Sequence, residues 1–300
     1  MPVTRRRFLT IASASCLVAT AAQAFRWQGT ALGARAQIVL DHPRAISIAE
    51  AARLEIDRLE DIFSLFRPNS ELSRLNATGV LQAPSSELLD CLAIARHAHA
   101  VTDGRFDPTV QPLWRALALS HRRAQGPRQE VIETLRARIG FERVHFEPRG
   151  VSLDGGQELT LNGIAQGYIA DRIGRLMRSE GVEDVLIDTG EIFAMGSEGN
   201  GHGWPVTIQG ESRARRLSGR ALATSAPLGT TMDRAGRVGH IIDPRDGRVA
   251  VPAVRQVSVS AHSAALADAV STGLCLAADR AEAEALLSKV KDARLESLYL

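Results

Sequence analysis

Nine residues, GHIIDPRDG from Gly239 to Gly247, set one imidazole, two carboxylates, a proline and two glycines around a short apolar pair. An imidazole titrates near neutral pH and can take a proton from an attacking hydroxyl, which makes His240 a candidate general base. Asp243, three residues on, either orients that ring or caps the turn that Pro244 and Gly247 make. A histidine beside isoleucines is also a common core residue. The second pair stands in LADAVSTG, where Asp268 and Thr272 are four apart and a helix would stack them on one face. A carboxylate beside a hydroxyl is a hard-oxygen pair that suits magnesium, with waters or phosphate oxygens completing its octahedron. The plainer alternative is an aspartate favouring the helix dipole and a threonine bonding back to a carbonyl.

Four further stretches could meet a ligand. LTLNGIAQGYIADRI joins a β-like run to a helix through Gly163 and Gly167, with Gln166 between them. Glycines there let backbone amides approach an anion at a helix N-terminus, or simply make a tight turn. DTGEIFAMG places Gly190 and Glu191 after an apolar strand. GRFDPTVQPLW carries Asp107 and Thr109 beside Pro108, most simply a turn that the aspartate caps. FSLFRPNSELSRLN contains Phe66, Ser70, Glu71 and Asn76, with Ser70 or Asn69 capping a short helix.

Hydrophobic periodicity supplies the elements that must hold these residues. Phe25 to Leu40 reads as a strand with a Gly29-Thr30 turn near its start, followed by a helix from Ile46 to Phe63. A second helix spans Ser86 to Val101, opened by the Ser85-Ser86 cap region and closed before Gly104. Ser120 to Glu130 reads as an exposed loop before a helix from Val131 to Ile139. RVHFE and LTL read as short strands, Gly163 to Arg178 as a helix, and DVLIDTG as a buried strand. WPVTIQG, RALATS and RQVSVSA are further strands, before helices at Ala264 to Leu276 and Ala281 to Val290. Strands with inserted helices and no repeated strand–helix unit predict an α+β fold. With no internal repeat or Pro/Gly-rich linker, residues 25–300 form a single domain of mixed, largely antiparallel sheet.

The chain of 300 residues, 45% hydrophobic and 23% charged, is ample for a large core. Its first 24 residues read as an export signal: Arg5, Arg6 and Arg7, a weakly apolar run from Phe8 to Ala22, then Ala-Gln-Ala ending at Ala24. Arg5-Arg6 followed by Phe8-Leu9 looks like a twin-arginine signal, which predicts a periplasmic protein. Removing it takes three arginines and no acids, so the formal charge of +2 falls to −1. Such a chain has no electrostatic footprint for nucleic acid, and small-molecule chemistry is the better expectation. Cys91 and Cys275 sit in apolar helix-like contexts and read as buried thiols. No zinc or iron–sulfur spacing exists, so a metal would need oxygen ligands.

Taken in order, FSLFRPNSELSRLN, GRFDPTVQPLW, LTLNGIAQGYIADRI, DTGEIFAMG, ATSAP, GHIIDPRDG and VSVSAHSAALADAVSTG resemble the FAD:protein FMN transferase family, also called the ApbE family, from about Phe25 to Ala278. The resemblance implies an α+β fold related to the tunnelling-fold proteins. It implies that FAD is split at its pyrophosphate, AMP leaves, and FMN is joined through a phosphoester to a threonine hydroxyl of an acceptor protein. It places magnesium on Asp268 and Thr272 with the carbonyl of Ala165, and His240 beside the reacting phosphate. Thr30, Asp171, Thr224 and Ser225 then face the FAD cleft, with Phe66, Asp107, Gly163, Gln166 and Glu191 contributing to it.

The sequence also departs from that pattern. Gln166 stands where the family's glycine-flanked lysine sits, TSAP replaces Thr-Ser-Gly, and Phe66 replaces a tyrosine. TGEI replaces a double glycine, and QGT lacks the preceding methionine. With a twin-arginine signal, these departures resemble the branch that serves nitrous oxide reductase maturation, whose acceptor is a flavin-bearing membrane electron-transfer protein. Two other readings remain open: an FAD pyrophosphatase in which water replaces the acceptor, and a non-catalytic FAD-binding assembly protein, which Gln166 motivates.

Overall fold

The computed structural model describes residues 24–122, 128–199, 201–250 and 253–300. The expected export signal, residues 1–24, lies outside them except for Ala24. Seven strands form one sheet in the order β1-β2-β6-β7-β10-β11-β12. They are β1 (Phe25–Ala31), β2 (Ala34–Leu40), β6 (Val185–Asp188), β7 (Ile192–Met195), β10 (Arg220–Ser225), β11 (Gln256–Ala261) and β12 (Arg294–Tyr299). Every pairing in it is antiparallel, in line with the α+β expectation.

Strand alternation sorts the side chains to two cores. Ile38, Val185, Ile187, Phe193, Ala221 and Ala223 face the large core. There they meet helices α1 (Ala45–Phe63), α3 (Ser86–Val101), α6 (Ala165–Ser179) and α7 (Ala264–Leu274). The intervening Val39, Leu186, Ile192, Ala194 and Leu222 face the opposite side. A hairpin of β8 (Trp204–Val206) and β9 (Arg215–Leu217) covers them with Trp204, Val206 and Leu217. A three-stranded sheet of β3 (Val80–Gln82), β4 (His145–Glu147) and β5 (Gly150–Ser152) flanks α3, and α8 (Arg280–Leu287) precedes β12.

Serine and aspartate caps start several helices where the sequence places them. Ser85 Oγ accepts from Leu88 N at the start of α3, and Ser70 Oγ accepts from Ser73 N at the start of α2 (Glu71–Thr78). Cys91 and Cys275 are buried free thiols, as expected. Three expectations need correction. Phe25 to Leu40 is a hairpin that turns at Leu32-Gly33, with Gly29 and Thr30 inside β1. Gly29 is there because the Trp27 indole lies over it: a Cβ would stand 2.5 Å from the ring. LTL has no strand partner, and β5 lies in PRGVSLDGG instead. Ser120 to Arg122 ends a helix, α4 (Gln111–Arg122), and α5 spans Gln129–Arg136. Leu113 and Leu117 of the amphipathic α4 pack with distant Met232 and Ile242 as well as with Ile132, Leu135 and Ile139 in and after α5.

Helices α6 and α7 meet backbone to backbone. A Cβ on Gly167 would lie 2.3 Å from the Ala264 carbonyl oxygen, so only glycine permits this approach. Gly167→Ala should therefore destabilise the protein by about 3 kcal/mol through overpacking, whereas Gly155→Ala, with nothing within 4 Å, should change stability by less than about 0.5 kcal/mol. Urea unfolding of the two variants beside the parent checks both values.

Candidate active site

Asp268 projects from α7 to the N-terminus of α6. There Gly167 N donates to Asp268 Oδ2 at 3.3 Å, in the positive field of the helix end. The carboxylate is 4% exposed, and burial pushes it up to about 7. Glu191, after β6 and 6% exposed, is held well above its usual range by burial and by the Asp268 charge, although Thr224 N donates to its Oε2 at 3.1 Å. Two buried carboxylates thus face one another in low dielectric.

Hydroxyls close the other side. Ser225 Oγ, at the end of β10, is hydrogen-bonded to Ser271 Oγ at 2.8 Å and lies 3.4 Å from Thr272 Oγ1. Thr224 Oγ1 is 2.8 Å from Ser258 Oγ, its cross-strand partner on β11. A Cβ on Gly163 would come within 3.0 Å of Thr272 Oγ1, so the turn before α6 presses against that hydroxyl. Gln166, also buried, packs its amide against Gly190, and its Nε2 has no hydrogen-bond partner.

His240 is held by the segment that follows Ser225, without a hydrogen bond to the Asp268 cluster among the described residues. Its ring Nδ1 lies 3.1 Å from the carbonyl oxygens of Pro227 and Thr230. Carbonyls only accept, so Nδ1 carries the proton and Nε2 keeps a lone pair. Burial lowers the ring's pKa, against the two carbonyls that raise it. The apolar pair that follows is split between cores: Ile241 enters the large one, and Ile242 packs with Leu113 and Leu117 of α4. Trp114 Nε1 donates to the His240 carbonyl at 3.0 Å. Among the described residues Asp243 does not touch the ring. It caps its own turn at Arg245 N and pairs with the Arg245 guanidinium at 2.6 Å.

Other residues prove to hold elements in place. The Asp171 carboxylate accepts from Ser263 Oγ (2.7 Å), Ala264 N (2.8 Å) and Ala265 N (3.1 Å), which fixes α6 to the start of α7. Asp107 accepts from Thr109 N, Thr109 Oγ1 and Phe141 N. Asn76 makes a paired bridge to the backbone of Leu159, and Glu71 accepts from Ser85 N and Oγ. Thr30 and the 53% exposed Phe66 lie on surface segments with no hydrogen bond to the Asp268 cluster. Ser258, Ser271 and Thr189, whose Oγ1 donates to the Gln166 carbonyl at 2.9 Å, belong to the cluster although no motif singles them out. For Ser271 the signal was present, one position before Thr272.

The donor set fits a hard cation. Asp268, Thr272, Ser225 and Ser271 offer only oxygen, and two neighbouring buried acids lack a compensating positive charge among the described groups. A second acidic group, His99, Asp107 and Glu142, is geometrically close. In it Asp107 already accepts three hydrogen bonds, and His99 Nδ1 faces the Phe106 carbonyl at 2.9 Å, so that nitrogen holds a proton.

The antiparallel sheet layered with helices is a fold shared with solved flavin transferases. The fold matches the apbe protein of Thermotoga maritima with a TM-score of 0.81 and 26% identity, over 91% of this chain and 93% of that one. It matches the flavin transferase ApbE of Vibrio cholerae with a TM-score of 0.77 and 26% identity, over 89% and 92%. The chain belongs to the ApbE family, whose model matches residues 31–297. Among relatives, the FAD:protein FMN transferase of Vibrio cholerae is 30% identical over 265 residues, 82% of this chain and 79% of that protein. That of Escherichia coli K12 is 28% identical over 254 residues, 78% and 72%.

The raised Asp268 carboxyl carries a stability consequence. A group protonated in the fold and ionised when unfolded contributes fully below its unfolded value and loses that contribution as pH rises through the folded one. Metal-free protein should lose stability between about pH 4 and about 7. Asp268→Asn, which mimics the protonated acid, should raise the Tm at pH 8 by about 3 °C or more and leave it unchanged near pH 4. Magnesium should raise the Tm of the parent and not of the variant; thermal melts with and without the ion read all three.

Proposed function

We propose that this protein is a magnesium-dependent FAD:protein FMN transferase that joins FMN from FAD to a threonine hydroxyl of an acceptor protein and releases AMP. The observation that carries this reading is the pair of buried acids, Asp268 and Glu191, set among hydroxyls beside the segment that backs His240. Asp268 and Thr272, with the Ala165 carbonyl, would hold the magnesium ion, which neutralises charge on phosphate oxygens.

The acceptor oxygen bonds to the FMN-side phosphorus, the bond from that phosphorus to the bridging oxygen breaks, and AMP leaves with the electron pair. His240 Nε2 takes the hydroxyl proton, a role suited to a ring whose Nδ1 is already protonated against two carbonyls. Asp243 keeps the turn in shape through Arg245.

Export by the twin-arginine route and a membrane-bound electron-transfer acceptor of the nitrous oxide reductase maturation branch belong to the same proposal. The Arg5-Arg6 leader and the motif departures at Gln166 and Phe66 support them.

The test mixes mature protein, FAD, magnesium and an acceptor domain with a Thr-containing flavinylation motif, and looks for covalent flavin fluorescence on a denaturing gel. Absence of that band beside an active family member would overturn the proposal, and AMP release without acceptor would instead mark an FAD pyrophosphatase. His240→Ala should slow transfer by about 100- to 10,000-fold, and Asp243→Asn by less than about tenfold. Transfer by the parent should fall with decreasing pH only through a value below 6.5, because burial lowers the His240 pKa; initial rates across pH 5 to 8 locate that limb.

A further inference from the structure

The His240 corner is held mainly by its own segment. His240 N donates to the Pro227 carbonyl at 3.2 Å, and ring Nδ1 donates to the carbonyls of Pro227 and Thr230, 13 and 10 residues back. These bonds shape the loop. They tie it to the hydroxyl cluster only where Pro227 follows Ser225 by two residues, which leaves it free to swing about that point.

One hold comes from elsewhere in the fold. Trp114 of α4 donates its indole N–H to the His240 carbonyl at 3.0 Å, from 126 positions away in the sequence. That bond fixes the peptide plane beside the carbon from which the imidazole projects. The rest of α4 backs the same segment. Leu113 and Leu117 pack with Met232 and Ile242, and a Cβ on Gly247 would lie 3.2 Å from the Leu113 side chain. These residues make an apolar cluster of their own, apart from the cores on the two faces of the large sheet.

The same helix is tied to the chain that runs into the site. Arg115, next to Trp114, donates from both terminal nitrogens to the two carboxylate oxygens of Glu158, each at 2.6 Å. Just before α4, the Pro108 carbonyl accepts from Thr160 N at 2.8 Å. Three residues beyond Thr160 stands Gly163, the glycine pressed against the Thr272 hydroxyl. Neighbouring side chains on a helix do not face each other. Helix α4 therefore reaches the histidine corner with Trp114 and the approach to Thr272 with Arg115.

We infer that Trp114 is a positioning residue: its indole N–H, carried on α4, sets the place of the His240 imidazole relative to Asp268 and Thr272. The inference rests on the transferase reading of that histidine. It gives Trp114 no contact with any substrate.

The experiment follows flavin transfer to the acceptor domain, and amide hydrogen exchange in the full protein, for the parent and for Trp114→Phe, which keeps an apolar ring and loses the donor. Replacing Trp114 by 3-benzothienylalanine, with sulfur where the N–H stood, removes only the donor and serves if Trp114→Phe misfolds. Loss of the donor should lower kcat about 10- to 100-fold and leave the KM for FAD within about twofold. Added to His240→Ala, it should cost less than about twofold more. Exchange of the amides around Gly239 to Ile242 should quicken about three- to tenfold, with the β1–β2 hairpin unchanged. Weaker FAD binding with kcat kept, a full loss in the His240→Ala background, or exchange that rises everywhere or not at the corner would each overturn the inference. Parent protein that transfers no flavin would sink the functional reading instead, and the exchange result would still decide whether Trp114 holds the corner.

Discussion

The approach of α6 to α7 at Gly167 is the constraint on which the site depends. A methyl group there would overlap the Ala264 carbonyl, and Asp171 locks the two backbones at that separation with three hydrogen bonds. Burial raises the Asp171 carboxyl, and the amides of Ala264 and Ala265 with the Ser263 hydroxyl oppose that rise. Buried charge is tolerable only with such partners. Given this clamp, α7 has one way to lie. Asp268, one turn beyond Ala264, reaches the amide of Gly167, and Thr272, one turn further, comes against Gly163. The spacing of four thus acquires a partner surface only because a glycine and an aspartate elsewhere fix the helix pair.

The histidine is placed by a different means. Its corner is a surface turn tied down by alternate burial, Ile241 into the large core and Ile242 under α4. Gly239 allows the Pro227 carbonyl to come close: a Cβ would lie 2.4 Å from that oxygen. The same carbonyl then receives both the His240 amide and the ring Nδ1 proton. Pro227 lies two residues after Ser225, so the imidazole and the hydroxyl cluster share one stretch of backbone. Orientation by carbonyls leaves the ring neutral and its other nitrogen basic, which a carboxylate partner would not do so simply.

What could be read in the sequence follows from how local the cause is. Caps at Ser70 and Ser85 and the periodicity of α1 act within a few residues and were legible. The β1–β2 turn was not, because Gly29 serves the Trp27 indole instead of a turn while a leucine takes the left-handed position. Helix α4 was hidden because part of its apolar face is covered by Met232 and Ile242, more than a hundred residues away, and strand β7 because it is only four residues long. In the site, Asp268 and Thr272 stood out as a pair four apart, a weak signal by itself that gained weight only from the resemblance. For Asp171 and Asp107 the residue type fits a ligand contact and a cap equally well, and only the tertiary partners, α7 for one and the Phe141 amide for the other, decide.

Two departures from the family pattern converge on one spot, and their electrostatic effects have the same sign. In the pattern the sequence resembles, a lysine stands at position 166 and a glycine at 191, so Gln166 would remove a cation and Glu191 add a carboxylate. The Gln166 amide packs on Gly190, directly before Glu191, so the two changes are neighbours in space. Glu191 and Asp268 raise one another's cost of ionisation, and the uncharged amide offers no relief. Burial keeps such a pair biased toward its protonated form, and the proposed divalent cation would displace those protons on binding. With a lysine nearby, part of that compensation would be built into the chain. Without one, it would fall to the proposed ion, and its binding and the ionisation of both acids would then be a single, proton-linked event.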